Sequence, residues 1–134
     1  MEPEIYDRLS ALAEPTRVRL LALLEGEELT VGELVRVVQL PQSTVSRHLK
    51  QLHARGWIDR RAVGTASFFR MGALDAGALA LWRVVRDEVA DAYPEDQQRL
   101  ATVLALRMVD SATFFERVGG GWDALRRQLF GDDC

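Results

Sequence analysis

Residues 30 to 52, TVGELVRVVQLPQSTVSRHLKQL, constrain the fold more than any other part of the chain. Thr30 and Glu33 have the S/T-x-x-E spacing in which two side chains satisfy free backbone donors at a helix start. Val31, Leu34, Val35 and Val38 then keep the i, i+3, i+4, i+7 rhythm of one apolar helix face. The connector LPQS, residues 40 to 43, interrupts the pattern. Val45, Leu49 and Leu52 resume it to about Ala54, and Gly56 stops it. The spacing predicts two short helices joined by a tight turn. In the second helix Ser43, Thr44 and Ser46 each cost up to about 0.7 kcal/mol of helix propensity relative to Ala, because their hydroxyls compete for backbone hydrogen bonds. A helix that keeps three such residues off its apolar stripe has an outside partner for them.

The flanking sequence supplies a scaffold for that pair. IYDRLSAL, residues 5 to 12, reads as a short helix, and Pro15 sits in the first turn of a second, where its missing N–H costs nothing. Leu20, Leu21, Leu23 and Leu24 make this second helix apolar on more than one side, which predicts a central position. After Gly56, WIDRRAVGTASFFRM alternates around Gly64-Thr65 and predicts a two-stranded hairpin from about Trp57 to Met71. Leu74, Ala78, Leu81, Trp82, Val85 and Val89 return to a helical period. Pro94 opens a last long helix over about Glu95 to Arg117, Gly119 to Gly121 break it, and a short helix follows with Trp122, Leu125 and Leu129 on one side. The expected fold is mainly α with a small β-hairpin: a helix-turn-helix followed by a wing. Its boundaries are residues 1 to 93, with a C-terminal helical extension over 94 to 134.

Charge locates the outside partner. The chain carries a net charge of −3, which excludes indiscriminate coating of nucleic acid. Between Pro41 and Arg61, however, Arg47, Lys50, Arg55, Arg60 and Arg61 face only Asp59. An acidic protein with its cations gathered in one segment meets phosphates at one place. With Val45, Leu49 and Leu52 turned inward, Gln42, Ser43, Thr44, Ser46, Arg47, Lys50 and Gln51 lie outward or along the flanks of the helix. Such side chains pair with base edges in the major groove and with phosphate oxygens. Thr65 and the hairpin cations Arg60, Arg61 and Arg70 are expected on DNA backbone or minor groove. His48 and His53, five apart, miss the i, i+3 or i, i+4 spacing of a helical zinc pair and are assigned to the DNA face or its support.

Other chemistries find little footing. No Ser/His/Asp set, metal triad or paired carboxylate marks a catalytic centre, so no enzyme and no cofactor are expected. Cys134, the only cysteine, is the last residue. Asp87 and Asp91 read as a solvated acidic face. No apolar run approaches the ~20 residues of a membrane span. The acidic amino terminus, MEPEIYDRL, lacks the basic and apolar regions of a secretory signal, and a cytoplasmic location is expected.

Residues 9 to 71 resemble the ArsR-type winged-helix repressors, through ALAEPTRVRLL at 11 to 21, STVSRHLKQL at 43 to 52 and the wing GWIDRRAVGTASFFR. The resemblance implies a homodimer joined by the first helix and the helix after the wing, with Ile5, Leu9, Leu81, Trp82, Val85 and Val89 in the seam. It also implies two recognition helices in successive major grooves of double-stranded DNA, at an inverted-repeat operator. Members that release DNA on binding metal carry paired cysteines on the third helix, where this chain has Thr30 and Gly32. The expected signal is therefore not a thiol-bound metal, and a small organic effector near Trp82 is the candidate. FFERVGGGWDALRRQLFG, residues 114 to 131, looks like the leading segment of S-adenosylmethionine-dependent methyltransferases fused behind ArsR-type domains. The alternative reading is thus the regulatory or dimerising module of such a fusion; a second rival is a winged helix used only for protein interaction.

Overall fold

The computed structural model describes residues 3–118, with side chains described through residue 108. The expected glycine break, the short helix around Trp122 and Cys134 lie outside the described residues. The elements run α1 (Glu4–Leu12), α2 (Pro15–Gly26), β1 (Leu29–Thr30), α3 (Val31–Val38), α4 (Gln42–Ala54), β2 (Ile58–Val63), β3 (Ala66–Met71), α5 (Ala76–Glu88) and α6 (Pro94–Val118). The chain divides into two compact units between Leu100 and Ala101. The first two turns of α6 thus belong with the winged-helix unit, whereas the sequence places the boundary at Pro94. Among the described residues no helix is long and apolar enough to cross a membrane.

Helix α2 is the hub of the first unit. Glu14 caps it by accepting from the Arg17 N–H at 3.2 Å, Pro15 follows at the first position, and Val18, Leu20, Leu21, Leu23 and Leu24 are all buried. A helix buried on several sides needs apolar residues on several sides, as the leucine run provides. It packs against α1, α3, α4, α5 and β3.

Helix α3 begins with the reciprocal capping box: Thr30 Oγ1 accepts from the Glu33 N–H at 3.2 Å, and Glu33 Oε1 accepts from the Thr30 N–H at 3.0 Å. The turn to α4 is made by Gln39 in the left-handed region, then Leu40 and Pro41. At the far end of α4 the Trp57 N–H reaches the Leu52 carbonyl at 3.0 Å and the Gly56 N–H reaches His53 at 3.1 Å. These two bonds, with Gly56 at φ +81°, form the left-handed helix stop that favours glycine.

The sheet has three antiparallel strands in the order β1-β3-β2 rather than the expected two. Leu29 and Thr30 pair with Phe69 and Phe68. Strands β2 and β3 register Ile58 on Met71 and Val63 on Ala66. The two-residue loop between them places Gly64, at φ +61°, in its first central position, the backbone that a tight hairpin turn requires.

Candidate nucleic-acid interface

Helix α4 buries Val45, Leu49 and Leu52 against the rest of the unit. That anchors its other faces. Gln42, Ser43, Arg47, Lys50 and Gln51 are exposed, and Thr44 and Ser46 are half-buried along the flanks. His48 is a correction: it is 7 % exposed and does not look outward. It completes the i, i+3, i+4, i+7 template begun at Val45, so the helix turns it inward with the apolar stripe.

Two groups receive His48. Its Nδ1 lies 3.4 Å from an Arg17 Nη, and its Nε2 lies 3.6 Å from Glu14 Oε2. Arginine has only donors, so Nδ1 is the bare acceptor and Nε2 carries the proton. Burial pushes the His48 pKa below its ordinary 6.5, assisted by the nearby charges of Arg17 and Arg47 and opposed by Glu14 and Gln51. The ring is therefore kept neutral near pH 7, although a carboxylate stands beside it.

Arg17 escaped the sequence reading. Its Nε donates to the Ala11 carbonyl at 2.7 Å and one Nη to Ser10 at 2.9 Å, which places a cation on the last carbonyls of α1. The other Nη donates to Gln51 Oε1 at 3.1 Å. One side chain thus ties the end of α1, the start of α2 and the outer flank of α4. Periodicity cannot announce such a residue, since its side-chain partners come from two other elements.

The wing divides its cations between two faces. Cross-strand partners share a face, so Arg60 lies with Phe69, and Arg61 lies with Phe68. Arg60 turns toward α4 and donates from Nε to Ser67 Oγ at 3.0 Å. It joins Ser46, Lys50, His53 and Ser67 around a notch of about 290 Å3 between α4 and the wing. Arg61 makes a two-pronged pair with Glu28, which raises its pKa, and stands 5.4 Å from the Phe68 ring centroid. Thr65 and Arg70 are exposed, at the hairpin turn and on β3.

Charged groups hold the end of α3. Asp96, buried in the first turn of α6, accepts from Arg19 through both carboxylate oxygens at 2.8 Å. The hydrogen bond to Asp96 is the main reason that the Arg19 pKa is raised. Arg19 also donates to the Val38 carbonyl at 2.9 Å, and Arg99 donates to Val37. The last carbonyls before the turn are capped by α2 and α6 together. Beside this cluster, Val18, Ala22, Leu23, Val89, Ala90 and Tyr93 line a cleft of about 240 Å3.

The expected dimer residues separate. Ile5 and Leu9 are 42 % and 47 % exposed on α1. Leu81, Val85 and Val89 are half-buried, and Trp82 is fully buried within its own chain, so Trp82 cannot be a contact between chains. Nor does it line the cleft. Val84, two positions on and hence on the opposite face of α5, is 64 % exposed and lies off the apolar stripe through Val85. Among the described residues no group of three or more His, Cys, Asp or Glu side chains could hold a metal ion.

Comparison with known proteins matches this architecture. The model of the bacterial regulatory protein, arsR family, fits residues 14–59. The chain is 31% identical over 88 residues to the transcriptional repressor SmtB homolog of Synechocystis sp., a match spanning 66% of this chain and 65% of that relative. It is 35% identical over 102 residues to the uncharacterized HTH-type transcriptional regulator Rv0081 of Mycobacterium tuberculosis, covering 67% of this chain and 90% of the relative. Among solved structures, the homodimeric winged helix-turn-helix DNA-binding domain of Mb0332 from Mycobacterium bovis superposes with a TM-score of 0.52 at 25% identity, over 68% of this chain and 85% of that one. With a capped α3, a tight left-handed turn, an α4 buried on one stripe and a β-hairpin wing, the chain belongs to the ArsR family of bacterial regulatory proteins.

Proposed function

We propose that the protein is a homodimeric, sequence-specific DNA-binding repressor that lays α4 in the major groove and its wing against the backbone. The observation that carries this reading is the juxtaposition of the exposed row Gln42, Ser43, Arg47 and Lys50 with the cationic notch at Arg60. Arg47 has the length and fork to read guanine, and Ser43 and Thr44 are short enough to let the helix backbone approach. Lys50 and Arg60, flanked by the Ser46 and Ser67 hydroxyls, offer a phosphate two cations and two donors. Arg61 contributes less, since Glu28 already engages it.

The dimer seam in this reading runs over Ile5, Leu9 and Val84, which are among the exposed apolar side chains of α1 and α5. Release from the operator is assigned to a small organic molecule in the cleft of α2, α5 and the start of α6. That cleft has an apolar body, an aromatic wall in Tyr93, and the Arg86–Glu25 pair in its lining. Occupancy would act on the Arg19–Asp96 pair that caps α3.

The test is selection of bound duplexes from a random pool by the purified protein. The reading expects enrichment of an inverted repeat with half-site centres about 10 base pairs, or one helical turn, apart. A pool that emerges with no enriched motif contradicts it.

A further inference from the structure

Gln51 is counted among the groups that face DNA, yet one end of its amide is already committed. Arg17 is pinned at Nε by the Ala11 carbonyl and at one Nη by Ser10, so its remaining edge has a fixed direction, toward α4. There it meets Gln51 at 3.1 Å. Because a guanidinium can only donate, the Gln51 atom facing it must be the carbonyl oxygen. The amide nitrogen, with its two donors, is therefore the end turned away from Arg17 on an exposed side chain.

A glutamine that recognises adenine uses both ends at once, accepting from N6 and donating to N7. Gln51 has its acceptor drawn back toward the α1–α2 junction. The end it turns outward to a partner is the N–H end.

We propose that Arg17 is a positioning residue that makes Gln51 a donor-only contact to a DNA phosphate oxygen and withholds adenine reading from it. Base choice is then left to the residues of α4 ahead of it, with Arg47 at their centre. The inference rests on the DNA-binding reading above and assigns within it which end of the helix specifies sequence. It also gives Arg17 a second effect. The guanidinium that orients Gln51 holds the final carbonyls of α1, so contact with the backbone is referenced to the helix that carries Ile5 and Leu9.

The experiment compares motifs selected from one random pool by the wild-type protein, Gln51→Ala, Arg17→Met and the double variant, with affinities measured on the wild-type motif. Gln51→Ala, a surface change, is expected to select the wild-type motif and to bind all sequences about tenfold more weakly, as loss of one charge-assisted hydrogen bond requires. Arg17→Met frees the amide to rotate, and its motif is expected to gain an adenine preference that the double variant loses. Should Arg17→Met not fold, the Gln51→Ala comparison decides alone. A Gln51→Ala motif that has lost one base preference overturns the proposal, as does unchanged affinity. Folded Arg17→Met protein with the wild-type motif overturns it too. A wild-type chain that enriches nothing strikes the DNA-binding reading itself, and the two failures are told apart.

Discussion

His48 and Arg47 are neighbours in sequence with opposite situations, and each makes a prediction. His48 is held neutral by burial, so its pKa in the folded protein lies below the 6.5 of an exposed ring. The unfolded chain then binds the proton more readily than the folded one, and stability is lost as pH falls through and below about 6.5. Urea midpoints measured at pH 7.5 and 5.5 should fall on acidification, and the fall should be smaller in His48→Gln. Equal falls in the two proteins would remove His48 from the account. Arg47 is exposed on the outer face of α4. Arg47→Ala should weaken the preferred duplex by about 1–3 kcal/mol while relaxing the choice at one base position. Competition binding with singly substituted duplexes checks this, and undiminished discrimination at every position would count against a base contact.

At the scale of elements, what the sequence discloses depends on whether a signal is local. The capping box at Thr30 and Glu33, the glycine stop of α4 and the Gly64-Thr65 turn are each written within a few residues, and all three are found where the spacing puts them. The stripe of α3 is shifted: Leu34 and Val38 are buried as expected, but Val37 is buried with them while Val31 and Val35 are only half-buried. Strand β1 is only two residues long and exists through its partners Phe68 and Phe69, so no periodicity reveals it. The inward turn of His48 was legible, because it fills the i+3 slot of its helix; its polarity concealed the fact. Trp82 misled for the opposite reason: an aromatic on an apolar face serves the core of one chain as well as the seam of two. Pairings across the fold, such as Arg17 with Gln51 and Arg61 with Glu28, lay beyond local pattern altogether. The last of these separates the wing cations. Arg60→Ala should bind all duplexes more weakly and lower the salt slope by about 1, as loss of one phosphate contact does. Arg61→Ala should change binding less, because Glu28 already neutralises it. Salt titrations of the two variants test the ranking, and a larger loss at Arg61 would reverse the assignment of wing faces.

For the whole molecule, α1 matters because it joins two surfaces. Its outer residues Ile5 and Leu9 are apolar and exposed, and its end is fastened by Arg17 to α2 and α4. A charge placed on that outer face should separate protomers without unfolding them, since the affected side chains leave the core untouched. Leu9→Glu is accordingly expected to sediment as a folded monomer with native helix content, and to lose the cooperative engagement of two half-sites. A dimer of wild-type affinity in that variant would move the seam elsewhere. The acidic net charge of −3 sets the remaining condition: attraction to DNA must come from the α4 and wing face against a repelling remainder.

That condition is tested most directly by the affinity of the full chain for its selected duplex and for a scrambled duplex, measured across a range of KCl concentrations. The account predicts that log K falls linearly with log salt by several units of slope on both duplexes, with the selected one held more tightly at every concentration. Equal affinity for the two duplexes throughout the series would contradict it.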